Sequence, residues 1–376
     1  MEDTIVRSGL SSELPQVNPE LVFWDPPSET ESEKPNDNPR RGFGAVEDEI
    51  KRFIENRRIQ VDGSEREKKV IGMEDLKQTI IEAIVAPQRV KMHADLTLQA
   101  ILVAGPPGCA KTTVLEQAAV LSARALKKPI SYFKVTYSDA LSSFVGESEK
   151  FIKVLFETAQ EYTPSIILMD EVDGFMKKRQ DHDSDHSSRF KSALLSQIQG
   201  YSNNPGVVLL ATTNLPNTMD EGYQRRFQER YLVRLPSMQE RVIIFDFFVG
   251  LCEETVSVDW DSFNFQLLAE NSQRFSGDDI RNVIARALRK KFASNAGLNL
   301  KGQRNALNMS DISRVLKTSK PTCKAEDIRK LEKWGERMAT NYSKSNQTPR
   351  SSKSKLRKFF MCMVVSCCCC NAFGAR

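Results

Sequence analysis

No apolar run in the chain is long enough to cross a bilayer. The longest, from Phe359 into Cys367-Cys370, covers about 15 residues against the roughly 20 a spanning helix needs. The eight cysteines do not form a framework: Cys109, Cys252 and Cys323 are scattered, while Cys362 and Cys367 to Cys370 crowd the tail. Neither a disulfide pattern nor a zinc spacing results, so reduced thiols are expected. Net charge is also small, +5 over 376 residues, which gives no electrostatic footprint for DNA or RNA. A nucleic-acid partner is therefore not expected. Met1-Glu2-Asp3-Thr4 lacks the basic segment and apolar core of a secretory leader, and a cytoplasmic location is the expectation. The final residues Phe373-Gly374-Ala375-Arg376 are not a prenylation box.

What is present is an apolar fraction of 40%, enough for a substantial core. Residues 1–44 are rich in Pro, Glu, Asn and Ser and read as a disordered arm, interrupted by the apolar cluster Leu21 to Trp24. Val46, Ile50, Phe53 and Ile54 fall at helical spacing, so 45–69 reads as an amphipathic helix followed by a polar linker. From 70 to 236, short apolar runs alternate with longer helical stretches: Ile101 to Ala104, Ile130 to Val135, Ile166 to Met169, Val207 to Ala211 and Tyr231 to Leu235. This is an α/β pattern with a largely parallel sheet. Residues 237–340 carry helical periodicity through Phe245, Phe248, Ile280, Ile284 and Leu288, and read as a second, helical domain. The segment 341–376 is a basic tail ending in the cysteine-rich stretch.

The first apolar run leads straight into Gly105-Pro106-Pro107-Gly108-Cys109-Ala110-Lys111-Thr112-Thr113. Such a loop cradles nucleotide phosphates on backbone N–H groups; the lysine reaches the outer phosphates and the next hydroxyl holds Mg²⁺. Ala110 stands where the general pattern has glycine, and a methyl group there restricts a loop that turns sharply. Ser165 to Met169 is a buried-type strand delivering Asp170 and Glu171, with Asp170 suited to Mg²⁺ and Glu171 to polarising a water. Val207 to Thr213 similarly delivers Asn214. Arg225-Arg226-Phe227 precedes the last strand, where an arginine can stabilise transition-state charge at a neighbouring subunit's nucleotide.

In that order, the phosphate loop, Asp170-Glu171, Thr213-Asn214 and Arg225-Arg226-Phe227 resemble the AAA+ ATPases over about residues 70 to 340. Gly146-Glu147-Ser148-Glu149-Lys150, Phe275-Ser276-Gly277-Asp278-Asp279, Asn308-Met309-Ser310-Asp311, Ser319-Lys320-Pro321-Thr322 and Glu332-Lys333-Trp334 resemble the branch of katanin, spastin, fidgetin and the ATPase that disassembles ESCRT-III filaments. The resemblance implies a parallel-sheet P-loop NTPase domain followed by a small helical lid domain. It implies a homo-hexameric ring that hydrolyses ATP with Mg²⁺ at subunit interfaces and draws a polypeptide through its pore. Gly72 and Gly277 join the nucleotide contacts on this basis, Phe144 and Val145 take the pore-loop position, and Arg189 and Lys191 fall in the second pore-loop region.

Departures from that branch bear on the substrate. Ser142-Ser143-Phe144-Val145 lacks the basic residues that severing enzymes place beside the pore aromatic, which weakens complementarity to an acidic tail. The stretch from Arg289 to Asn308 leaves no room for the β insertion of the ESCRT-directed enzyme, and the amino-terminal arm lacks the pattern of a three-helix adaptor. Asp181 to His186 has metal-compatible side chains, but the resemblance puts a pore-facing loop there and no metal site is expected. Lys353, Lys355, Arg357 and Lys358 ahead of the tail cysteines suit S-acylation at an anionic membrane surface. The expected substrate is a cytoskeletal or membrane-associated protein assembly, with microtubule severing ahead of ESCRT-III filament disassembly; a nucleotide-binding scaffold with little turnover is the alternative from another class.

Overall fold

A computed structural model describes residues 43–64, 70–93, 97–136, 139, 147–174, 176, 185–200, 206–295 and 306–342. The expectations for the arm, Phe144 and Val145, Asp181 to Ser184 and the cysteine-rich tail lie outside these residues.

Strands β2 (Ala100–Ala104), β4 (Ser165–Met169) and β5 (Val207–Thr213) are buried at every position. Continuous apolar runs of this kind arise where a sheet is covered on both faces. With β1 (Arg58–Val61), β3 (Ile130–Val135) and β6 (Glu229–Leu232) they form one sheet in the order β1-β3-β4-β5-β2-β6. All pairings are parallel except β1 with β3.

Alternate residues of each strand serve opposite cores, as the two-residue pleat requires. Leu102, Ile167 and Leu209 meet helices α1 (Phe43–Asn56), α4 (Ser148–Glu161) and α5 (Asp185–Gly200) through Ile50, Phe151 and Phe190. Ile101, Ile166 and Leu210 meet α2 (Glu74–Arg89) and α3 (Lys111–Leu126) through Ile80 and Leu115.

After a short helix, α6 (Glu221–Gln224), and β6, the chain enters the helical region. It comprises α7 (Met238–Cys252), α8 (Phe265–Glu270), α9 (Gly277–Asn295), α10 (Met309–Leu316) and α11 (Ala325–Met338). Its own core contains Phe245, Ile280, Ile284, Leu307 and Ile312. Reciprocal capping boxes start α7 (Ser237 with Glu240) and α10 (Asn308 with Asp311), each worth about 1 kcal/mol. Helix α11 leaves this core and inserts Leu331 and Trp334 into the first sheet core.

Two differences from the sequence reading are structural. The segment 45–69, expected to hold an amphipathic helix and a polar linker, also contains β1 between them, an antiparallel edge strand registered from Arg58↔Phe133 to Val61↔Ile130. Only Val61 of its four residues is buried, so no alternation signalled it. The last strand runs from Glu229 to Leu232, where Tyr231 to Leu235 was expected; Val233 is still held to Ala104 by one N–H···O bond of 2.8 Å.

Candidate functional site

In a parallel sheet, ligands bind beyond the carboxyl ends of the strands, where neighbouring connections part to opposite faces. Here β2, β4 and β5 end side by side and deliver the phosphate loop, Asp170-Glu171 and Asn214 to one edge.

The loop is fixed by close approaches. Gly105 donates its N–H to the Thr213 carbonyl (3.2 Å), and a Cβ on Gly105 would lie 2.6 Å from the Val233 carbonyl oxygen. Gly108 has φ +74°, and a Cβ there would sit 2.8 Å from both Asp278 Cβ and Ser276 Oγ. The Gly108 carbonyl accepts from Asp278 N–H (3.2 Å), so the loop touches the start of α9 directly. Ala110 is also left-handed, φ 56° and ψ 28°, as the N-cap of α3. That conformation costs a non-glycine residue roughly 1–2 kcal/mol.

Lys111 is 8% exposed, and its ammonium donates to the carbonyls of Gly105 (2.9 Å) and Pro106 (2.8 Å) and to Asn214 Oδ1 (2.6 Å). Burial lowers its pKa from the ordinary lysine value, opposed by nearby Cys109 and Asp170. Burial also pushes the Cys109 thiol up to about 12. Thr112 Oγ1 donates to Asp170 Oδ2 (3.1 Å), and the Thr212 hydroxyl donates to the other carboxylate oxygen. Glu171 is exposed with φ 55°; its N–H donates to Thr212 Oγ1 (3.3 Å). Thr213 Oγ1 donates to Asp173 (2.8 Å) and accepts from Leu215 N–H (3.0 Å), fixing the chain on either side of Asn214.

These groups open into a cleft of about 770 Å³ between sheet and helices. Pro107 to Thr113, Asp170, Glu171 and Asn214 line its polar end; Val70, Ile71, Ile244, Phe247 and Phe248 line an apolar end. Gly277, Asp278 and Arg281 close it from α9, with Arg281 paired to Asp278 at 2.8 Å. Gly72 lies between Ile71 and Met73, which line the cleft; it has φ +80°, and a Cβ there would sit 2.5 Å from Glu240 Oε1. An apolar slot leading to a lysine, a loop of small residues at a helix start and two carboxylates suits a nucleotide with its phosphates.

Of the residues expected at the nucleotide, Pro107 to Thr113, Asp170, Glu171, Asn214 and Gly277 line this cleft, while Gly72, Gly105 and Pro106 adjoin it without lining it. The structure sets Arg225 and Arg226 apart: both are exposed after α6, with Arg225 3.8 Å from Glu221, and neither lines this cleft. Lys191 is 2% exposed inside α5, so it does not offer its ammonium to solvent as a pore contact would; Arg189 lies on the same helix. Thr212, Asp173, Arg281 and the apolar end were not read from the sequence. Thr212 had a usable signal, a hydroxyl at the end of an otherwise apolar strand; the apolar end joins segments far apart in the chain and had none.

Comparison with known proteins agrees with this geometry. Residues 101–235 match the ATPase family associated with various cellular activities, AAA, and residues 301–338 match the Vps4 C terminal oligomerisation domain. The chain is 29% identical over 314 residues to vacuolar protein sorting-associated protein 4A of Homo sapiens, covering 71% of this chain and 69% of the relative. It is 30% identical over 283 residues to cell division protein C of Sulfolobus acidocaldarius, covering 71% and 70%. Among solved structures, the FIGL-1 AAA domain aligns with a TM-score of 0.64 at 25% identity over 77% of this chain and 95% of that one. A katanin structure aligns at 0.60 and 27% identity over 76% and 96%. The chain belongs to the AAA ATPases, in the branch that contains the Vps4 proteins, spastin and katanin.

Proposed function

We propose that this ATPase works as a homo-hexameric ring whose hydrolysis cycle remodels or disassembles a protein assembly. The observation that carries the chemical part is the convergence of Lys111, Asn214, Thr112 and Asp170 under one loop. Backbone N–H groups of the loop and Lys111 hold the phosphates, Lys111 exchanging its carbonyl partners for phosphate oxygens as the nucleotide binds. Asn214, now bonded to Lys111, lies where it can orient an attacking water. Glu171 takes that water's proton; its exposure leaves the carboxylate free to reach the cleft.

The residues fit a magnesium ion. Thr112 Oγ1 and Asp170 Oδ2, 3.1 Å apart, are hard oxygen donors, and adjacent ligands of an octahedral Mg²⁺ lie about 3 Å apart. When bound, the ion neutralises charge on the outer phosphates. Thr212 keeps the Asp170 carboxylate turned toward Thr112 by holding its second oxygen.

Arg225 and Arg226, exposed and outside their own cleft, suit a neighbouring subunit's nucleotide. Phe144 and Val145 grip the substrate chain in the pore. The likeness to Vps4 proteins, spastin and katanin supports an assembly as substrate. Glu171→Gln protein, stalled with ATP bound, retains that assembly. Mass spectrometry of co-purifying proteins reads it: tubulin supports severing, membrane-filament subunits support disassembly at membranes, and a retained set free of polymer-forming proteins overturns the proposal.

A further inference from the structure

Arg225 and Arg226 are two exposed residues between two buried anchors. Gln224, 2% exposed, accepts a 2.6 Å hydrogen bond at Oε1 from Nε1 of the fully buried Trp334 in α11. Its own amide nitrogen donates to the carbonyls of Pro216 (2.9 Å) and Met219 (3.1 Å), so every polar atom of this side chain is used. On the other side, Phe227 is fully buried and its carbonyl accepts from Arg230 Nη1 (2.6 Å). Arg230 Nε in turn donates to the Met338 carbonyl at the end of α11 (2.6 Å). Two outer ties run to the same helix: Asn217 Nδ2 to the Lys330 carbonyl (3.0 Å), and Arg337 to Glu221 (3.5 Å), the carboxylate that also lies 3.8 Å from Arg225.

Backbone bonds from Arg225 N to Glu221 O and from Arg226 N to Tyr223 O (both 3.1 Å) make the segment one rigid turn. Its position is therefore set from both ends by a helix more than a hundred residues away in the chain. Side chains of long arginines tolerate small adjustments, but a misplacement of about 1 Å at a catalytic group costs up to about a hundredfold in rate.

We infer that Trp334, with Arg230 at the second anchor, is a positioning residue for the Arg225-Arg226 pair, so that the carboxy-terminal helix of each subunit sets hydrolysis at its neighbour's nucleotide and not at its own. The inference rests on the reading that these arginines act across the subunit interface. Trp334→Phe keeps an aromatic ring in the core but removes the N–H with part of the indole, leaving Gln224 Oε1 without its donor beside a small cavity, which is why Arg230→Lys is tested as well.

The test uses full-length protein at ring-forming concentration. Trp334→Phe is expected to lower kcat by about 10- to 100-fold while affinity for a fluorescent ADP analogue stays within about twofold. Arg230→Lys, which keeps the charge and loses the fork, is expected to do the same in a protein of unaltered core. The deciding readout is titration of each variant with Glu171→Gln protein, which cannot turn over but supplies intact arginines. Phosphate release per Trp334→Phe or Arg230→Lys subunit should rise as Glu171→Gln subunits enter the ring, because each such neighbour restores a well-placed arginine. A flat or falling rate for both variants overturns the inference, since damage confined to a subunit's own cleft or fold is not repaired by its neighbour. The double variant Arg225→Ala/Arg226→Ala separates the two levels. If it is rescued by Glu171→Gln protein and neither Trp334→Phe nor Arg230→Lys is, the positioning role fails and the trans arginine stands; if it is not rescued, the underlying reading fails as well.

Discussion

Gly108 and Ala110 share a left-handed backbone two residues apart, yet the chain depends on them differently. A methyl group on Gly108 meets Asp278 and Ser276 at 2.8 Å, in α9 and the residue before it, so Gly108→Ala must push the helical domain away from the loop. We expect at least a tenfold loss of nucleotide affinity, read by titration with a fluorescent ADP analogue. Ala110→Gly relieves roughly 1–2 kcal/mol of native strain and loosens the unfolded chain by up to about 1 kcal/mol, so denaturant unfolding should show between no change and about 2 kcal/mol of added stability. The missing glycine is thus tolerated as a strained alanine, which the sequence pattern alone did not reveal. Cys109 illustrates the same scale: with its pKa raised to about 12 by burial, almost no thiolate exists at pH 8. Native protein treated with N-ethylmaleimide at that pH should leave Cys109 unmodified by peptide mass, and labelling should appear only after denaturation.

At the scale of elements, β2, β4 and β5 were legible because strands buried on both faces read as unbroken apolar runs, and each run points at the residue that follows it. Asp170, Glu171 and Asn214 were found that way. Strand β1 was not legible, since one buried residue in four leaves no period to detect. Also hidden was what covers β6, an edge strand whose outer side pairs with no strand of the sheet. The residues after α11 take that place: Thr340 N–H donates to the Arg230 carbonyl (2.8 Å), Arg230 N–H to Thr340 Oγ1 (3.0 Å), and Leu232 N–H to Asn341 Oδ1 (2.9 Å). A side-chain oxygen completing a strand edge has no sequence signature. Asn341→Ala leaves the Leu232 N–H without that acceptor and should destabilise the fold by about 1–3 kcal/mol in urea or guanidinium unfolding.

At the scale of the whole molecule, sheet and helical region meet at the nucleotide cleft and again through α11, which begins beyond the helical core and ends on the sheet. Arg225 and Arg226 are exposed outside that cleft, and the proposed role for them is at a neighbouring subunit's nucleotide. A cycle that needs a neighbour's arginine cannot run in a monomer. Specific ATPase activity should therefore rise with protein concentration and level off once rings form; a rate per subunit that is constant from nanomolar to micromolar protein contradicts shared sites.

Glu171 is the one group proposed to activate water; the other residues of the cleft are proposed to bind and orient. Phosphate release by Glu171→Gln protein, with ATP binding followed in the same samples, tests this most directly. The predicted result is retained ATP affinity with turnover reduced by about 10²- to 10⁴-fold; release at the wild-type rate would contradict it.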